Sequence, residues 1–368
     1  MAGFTELEAL LDYRTLIEVY QDYGRQAATN PFFDFYTRGP SKNFDTDQVE
    51  FIKLSRVSDP APINYRGQPA RRMSPTGKTR RALAMLNMFD VLNLKADSLM
   101  FLREPESWML QQGGATEIQQ QLEDLALRHL YTKYVWLAKY FGGGAIYIDA
   151  NGEILESSSG AVVTVDTGIP AANQSQIDLS NFGGSGNAID AAWDVAGTKL
   201  LTQLDRLNHT AVEFQGSEPL RHIWVHPTAK AWIRQNTEIL AMYASIERLD
   251  NALLGDAFEI NNYVFHFFGG TYEAADGSRK PFIPLTKAII TPEPGPWIAQ
   301  GSGVQIVPTT VDVQPGQFVN FAGWEKHYGD FAYFQAEHNP PSVNLFAGTN
   351  WLFGFKNPSS VFVPTVDF

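Results

Sequence analysis

The chain has 368 residues, enough for two or three domains that each bury a core. It contains no cysteine, which excludes a disulfide framework and any thiolate metal site, and its net charge of −12 argues against a general nucleic-acid binder. Aromatic residues make up 13% and charged residues only 18% of the chain, against roughly 25% charged in an ordinary globular protein. Either a surface hidden in an assembly or a large β core accounts for that balance.

The first residues, MAGFTELEALLDY, are acidic and carry no apolar stretch, so no signal peptide is expected. No run of about 18 apolar residues occurs, so no membrane-spanning helix is expected, and the working compartment is expected to be a cytoplasm. Residues 5–28 have helical spacing through Leu7, Leu10, Leu11, Leu16, Val19 and Tyr20. Asn30-Pro31 breaks that pattern, and the aromatic cluster Phe32, Phe33, Phe35 and Tyr36 follows. Gly39-Pro40 marks a turn, and Val49 to Leu54 alternates as a strand.

From Lys53 to Arg81 the composition changes. Lys53, Arg56, Arg66, Arg71, Arg72, Lys78, Arg80 and Arg81 face a single acid, Asp59, and Pro and Gly punctuate the stretch. It holds too little apolar material to build a core. It reads either as a solvated loop or as an arm lying on an acidic surface of another subunit. The second reading has the charge to support it, because seven net positive charges here leave −19 on the rest of the chain. Arg80 to Leu94 reads as a return strand followed by a short helix.

Thr116 to Gly144 reads as one long helix, about 39 Å from cap to cap at 1.5 Å per residue. Thr116 and Gln119 form a capping box. Ile118, Leu122, Ala126, Leu130, Tyr134, Leu137 and Phe141 step by four and three into one stripe. Leu122, Leu130, Tyr134, Leu137 and Phe141 are the expected core of this spine. Asp124 and Arg128 are spaced to pair away from the stripe. Three glycines, Gly142 to Gly144, stop the helix. Next comes a hairpin around Asn151-Gly152, then a strand over Ala161–Asp166 and a Gly-, Ser- and Asn-rich crossing to residue 187.

A second long helix is predicted from Asn187, with Ile189, Trp193, Ala196, Leu200, Leu204, Leu207 and Ala211 on one face. HIWVHP (222–227) reads as a buried strand that opens a helix at Pro227 or Thr228. Asn262–Phe268 and Lys287–Thr291 read as further strands, and Pro292, Pro294, Gly295 and Pro296 as a stiff loop. Residues 188–334 therefore alternate as an α/β or α+β unit. Ser342–Phe346, Asn350–Phe355 and Val361–Val366 are β again, and this tail is expected to return to the hairpin beside the spine.

Catalytic motifs fail on spacing. Thr76-Gly77-Lys78-Thr79 resembles the end of a P-loop, but Arg72 stands where the first glycine belongs, and no apolar strand precedes it. Gly142 to Gly144 follow a helix instead of opening one, so their amides do not cradle a phosphate. His222 and His226 flank a strand and read as structural; no HExxH or GxSxG occurs. With 40 Asp and Glu, a glycosidase-type carboxylate pair is neither excluded nor supported. Neither an enzyme, a metal nor a cofactor is expected.

The order of parts resembles the Hong Kong 97-like α+β fold of tailed-phage major capsid proteins, in particular the lambda-like major capsid protein E family. Phe44-x-Thr46-x-x-Val49 resembles that family's approach to its extended loop, and Val165-Asp166-x-Gly168 follows spine and hairpin in the family order. Ile223-x-Val225-x-Pro227 with Ala229 and Trp232 resembles its strand–Pro–helix signature, and Phe282-x-Pro284 resembles the approach to its last axial strand. The resemblance implies an N-terminal arm over 1–48, an extended loop over 49–90, a peripheral domain over 91–186 and 335–368, and an axial domain over 187–334. It implies a shell of pentamers and hexamers of this chain around double-stranded DNA, bound without sequence specificity. A portal protein at one vertex, a separate scaffolding protein and, in some members, a decoration protein are the further partners implied. Arg56, Arg66, Arg71, Arg72, Lys78, Arg80 and Arg81 then become intersubunit contacts of the extended loop. No crosslinking Lys–Asn pair is recognisable. An encapsulin-like nanocompartment and a β-rich hydrolase stand as the alternatives.

Overall fold

A computed structural model describes residues 13–26, 30–46, 48–54, 78–95, 110–175, 177–182, 186–213, 216–243, 246–312, 320–338 and 341–367. Helix α1 (Tyr13–Gln26) takes the C-terminal part of the first helical pattern; residues 1–12 lie outside the described residues. The aromatic cluster is itself a helix, α2 (Pro31–Thr37). Asn30 does not merely break the preceding pattern. Its Oδ1 accepts from the amides of Phe32 and Phe33 at 3.1 and 3.2 Å, and Pro31 needs no donor partner at the first helical position.

Strands β1 (Lys42–Phe44), β2 (Gln48–Leu54), β3 (Lys78–Ala84) and β4 (Leu86–Lys95) follow. β2 and β3 pair antiparallel as a two-stranded ribbon, Gln48 opposite Ala84 and Leu54 opposite Lys78. The helix expected before Leu94 is absent: the strand runs on to Lys95. The reason is long-range pairing, since β4 lies along ten residues of the tail, Trp351 through Ser342.

The spine, α3 (Leu110–Phe141), is 32 residues long and starts six residues before the expected cap at Thr116. Continuing the backbone ladder through Gly113 and Gly114 costs about 1 kcal/mol per glycine, which Leu, Gln and Ala around them offset. Of the expected stripe, Leu122, Ala126, Tyr134, Leu137 and Phe141 are buried, whereas Leu130 is only half-buried. Leu125, His129, Trp136, Ala138 and Tyr140 are buried as well, so the C-terminal half is enclosed on more than one side. Asp124 and Arg128 are exposed. The stop is as expected: Gly143 and Gly144 have φ of +80° and +88°, and the Gly142 amide closes on Ala138 O.

Strands β5 (Ala145–Ile148), β6 (Ile154–Leu155) and β7 (Val163–Asp166) make a three-stranded sheet in the order β6-β5-β7. Asp149 Oδ1 accepts from the amides of Asn151 and Glu153 across the predicted hairpin turn. After β8 (Gln174–Ser175) the chain reaches helix α4 (Leu200–Glu213), which begins well after Asn187. Ile189 and Trp193 are buried as their spacing required, but they are not helical. The Trp193 amide is committed to Val366 O, and its indole donates to Gln203 Oε1 at 2.9 Å. Ala196, expected on the same face, is exposed, so the regular spacing begins only with α4 at Leu200.

The axial unit is a four-stranded sheet in the order β10-β11-β9-β14, from β9 (His222–Val225), β10 (Ala257–Ile260), β11 (Tyr263–Phe267) and β14 (Ile289–Thr291). One face, with Ile223, Val225, Phe265 and Ile290, packs against α4 and the short helices α5 (Ala229–Gln235), α6 (Thr237–Met242) and α7 (Ile246–Leu253). The other face is covered by α2.

The peripheral sheet has six strands: β1, β4, β15 (Ile298–Asp312), β16 (Asn320–Tyr328), β17 (Asp330–His338) and β18 (Pro341–Phe355). Two expected tail strands are thus one, β18. It pairs β17 along one edge and β4 along the other, then β15 through Trp351–Phe355. The tail therefore does not join the hairpin. β19 (Val363–Pro364) pairs β8, and Phe362 bridges Ile290, which ties the tail to the crossing and to the axial sheet. α1 and the N-terminal half of α3 cover one face of the peripheral sheet through Leu16, Tyr20, Leu122, Leu125, Leu345 and Ala347.

Candidate assembly surfaces

The β2/β3 ribbon carries the basic excursion. Arg56, Arg66, Arg71 and Arg72 lie outside the described residues; Lys78 and Arg80 lie in β3, opposite Leu54 and Ile52. Arg81 behaves differently from an outward contact. Its guanidinium donates to the carbonyl oxygens of Thr167 and Asp166 and, at 3.5 Å, to Tyr140 Oη on the spine. Burial pushes the Tyr140 phenol up, and the Arg81 charge partly offsets that. Arg81 thereby pins the ribbon to the turn after β7 and to α3. Lys78 and Thr79 of the P-loop-like sequence lie in β3 and do not open a helix.

At this same C-terminal end of the spine α2 joins three elements. Phe32 packs edge-on against Trp224 and Phe141, with centroids 5.0 and 5.3 Å apart, and Tyr36 lies 4.2 Å from Phe141. Tyr36 Oη hydrogen-bonds Thr291 Oγ1 at 2.7 Å, and burial drives its phenol far up. Phe141 also meets Phe353 and Phe355 of β18. Spine, axial sheet and peripheral sheet therefore meet in one aromatic core.

Two polar groups were invisible in the sequence because their members are far apart in it. On the spine, Tyr20 Oη bonds His129 Nδ1, and His129 Nε2 meets Asp90 of β4 at 2.8 Å. Beside them Lys133 pairs with Asp330 at 3.0 Å. Burial pushes the Asp330 carboxyl up, but the paired Lys133 charge outweighs it and holds the carboxyl below its usual range. On the axial sheet, His222 Nδ1 lies 3.0 Å from His266 Nε2, and His222 Nε2 lies 2.5 Å from Glu293 Oε2. His222 is thus structural in position, as expected, but its partner is His266. His226 instead meets Thr228 Oγ1.

Three of the four carboxylates that line two cavities are engaged by neighbouring side chains. A cavity of about 390 Å³ beside the spine is lined by one carboxylate, Asp330, which is already paired with Lys133. A larger one of about 570 Å³ on the axial unit has Asp205, Glu218 and Glu293 on its wall. Asp205 accepts from Tyr263 Oη, and Glu293 is held by His222. Among the described residues no group of three His, Cys, Asp or Glu is placed to hold a metal ion, and no helix is long and apolar enough to cross a membrane.

The sequence profile of the family described as phage major capsid protein E matches residues 29–304, three-quarters of the chain. The chain belongs to that family. It is a phage major capsid protein, a structural subunit of a virion shell and not an enzyme. A solved structure described as the putative capsid protein of a prophage from E. coli CFT073 superposes with a TM-score of 0.50 at 10% identity, covering 97% of this chain and 99% of that one. That likeness establishes the fold, the Hong Kong 97-like α+β arrangement of arm, ribbon, spine and axial unit. A phage-related protein from Bordetella bronchiseptica RB50 covers 95% of the capsid chain and 96% of its own at 8% identity, with a TM-score of 0.46. The capsid of a native GTA particle covers 93% of both chains at 8% identity, with a TM-score of 0.48. No curated protein sequence matches the capsid protein.

Proposed function

We propose that the protein forms the pentamers and hexamers of an icosahedral head around the double-stranded DNA genome of a tailed phage, assembling in the host bacterial cytoplasm. The observation that carries this reading beyond family membership is the ribbon base. Arg81 fixes β2 and β3 to the subunit's own spine, and in sequence these two strands flank a basic stretch with a single acid. Arg56, Arg66, Arg71 and Arg72, with Lys78 and Arg80 at the base, lie on the acidic surface of the adjacent subunit, where opposite charge supplies both attraction and register.

In this reading 1–48 is the arm and 49–90 the extended loop. The strand pairing supports ending the axial unit near residue 297, because β15 to β17 hydrogen-bond the tail and not the axial sheet. The peripheral domain then comprises 91–186 together with 298–368. The axial unit stands at the centre of each capsomer. A portal protein occupies one vertex, a separate scaffolding protein sets the curvature, and a decoration protein binds the finished shell. With −19 outside the basic stretch, the inner wall does not grip DNA, so the genome is free to be packed and ejected.

The test is particle formation by Arg71→Glu/Arg72→Glu, two residues that are no part of the pinned base. Light scattering and negative-stain microscopy should show shells from the parent, expressed with its scaffold, and folded unassembled subunits from the variant. Normal shells from the variant overturn the docking of the basic stretch.

A further inference from the structure

The face of the axial sheet that α2 covers is not wholly apolar. His222 and His266 sit on it side by side, on neighbouring strands β9 and β11. Phe35 roofs both, edge-on to His222 at 4.6 Å and tilted over His266 at 5.3 Å. Trp224 stacks under His266 at 4.2 Å. With both rings neutral every close contact is satisfied in one chain: His266 Nε2–H donates to His222 Nδ1, and His222 Nε2–H donates to Glu293.

One added proton is tolerable, because the Glu293 carboxylate faces His222. Two are not. A doubly protonated pair sets one N–H against another across 3.0 Å, with two positive charges under an aromatic roof. We propose that this pair is an acid-operated latch that releases α2 from the axial sheet.

The groups that face the pair fix the sign. Arg221, just before β9, opposes protonation of His222; Glu259 of β10 and Glu293 after β14 favour it. From α2 the facing side chain is Phe35, and the charged residues of that segment, Asp34 and Arg38, act on each other. Burial dominates and holds both histidines low, His266 at about 4, with His222 adding to the effect on His266. A histidine in a released arm joint titrates near 6.5. The docked state therefore keeps its full advantage above about pH 6.5 and loses it as pH falls toward the docked values. Release takes up two protons, so the opening constant rises by up to about 100-fold per pH unit while the docked pair is neutral, and less steeply once His222 takes its first proton in place.

Amide hydrogen exchange of the full-length subunit, corrected for the intrinsic pH dependence, reads the opening of residues 30–38. The parent should open steeply between pH 6.5 and 4. His266→Gln retains a donor to His222 but takes no proton, and should reduce the slope to about tenfold per pH unit. Glu293→Gln, at an exposed position, makes the docked pair a poorer base and should move opening to higher pH. Protection of 30–38 that is constant from pH 7 to 4 overturns the latch. So does a parent-like slope in His266→Gln. If that variant does not fold, a Glu293→Gln midpoint that stays in place or falls overturns the proposal alone.

Discussion

The axial and peripheral sheets are built by opposite rules. The axial sheet is short-stranded and covered on both faces: β9 is buried at all four positions, between helices on one side and α2 on the other. The peripheral sheet is long-stranded and has one well-covered face. Its other face exposes Phe89 and Val91 beside Phe346 and Tyr333. Ile306 and Trp324, farther out on β15 and β16, are exposed as well. A sheet closed on both faces completes its stability within the subunit. A sheet that leaves aromatic surface in water is shaped for a neighbour, and that is where a shell subunit keeps its unused apolar area.

The comparison breaks most easily at Phe141, where the two regions share one side chain. Phe141→Ala should cost about 3–5 kcal/mol and lower the stability of both regions together in a denaturant titration. Two separate transitions, with only one displaced, would mean that the sheets are less joined than their aromatic contacts imply. Within the spine, Leu137→Ala should cost about 2–5 kcal/mol, and Leu130→Ala clearly less, because Leu130 is half-buried. Equal losses would place Leu130 in the wrong environment. Asn173 offers a sharper probe of how the tail is held. Its buried amide donates to Ser359 O and Val361 O at 3.0 Å each, and Asn173→Ala should cost about 1–3 kcal/mol by leaving those carbonyls unpaired.

The smallest effect is the pH response of Asp330. Its carboxyl is held below its usual range, so its contribution is present above the ordinary carboxylate range and fades as pH falls through the depressed value. Lys133→Met leaves burial to dominate and should reverse that slope, with a loss near neutrality of about 1–2 kcal/mol, between an exposed and a fully buried pair. An unchanged slope of stability against pH in the variant would show that Lys133 is not what holds the charge.

Much of the axial unit was legible because its signals are local. HIWV announces a strand buried on both faces, and Pro227 followed by Ala229 announces the helix after it. The hairpin at Asn151-Gly152 and the glycine stop after Phe141 were legible for the same reason. The peripheral sheet was not, since β4 and β18 define each other across some 250 residues, and a weakly alternating stretch such as LNMFDVLNLK shows its strand only beside its partner. Ile189 and Trp193 show the converse error, where correct burial spacing suggested a helix that the Val366 carbonyl prevents by taking the Trp193 amide. Arg81 was legible as a cation but not as an inward one. Its acceptors are backbone carbonyls, which carry no mark in sequence. The His222–His266 pair is hidden likewise, by the parallel pairing of strands that are 41 residues apart in the chain.

The position of β18 has a consequence for timing. It is the strand that β4, β15 and β17 all pair with, and it is the last of the six to leave the ribosome. Until residues 341–355 emerge, the earlier strands have no common neighbour, and the surface they would present to other copies does not exist. Synthesis itself thus acts as a clock. A nascent chain that has not reached residue 341 cannot join β4 to β15 and β17, so the peripheral sheet closes only after that stretch has been made.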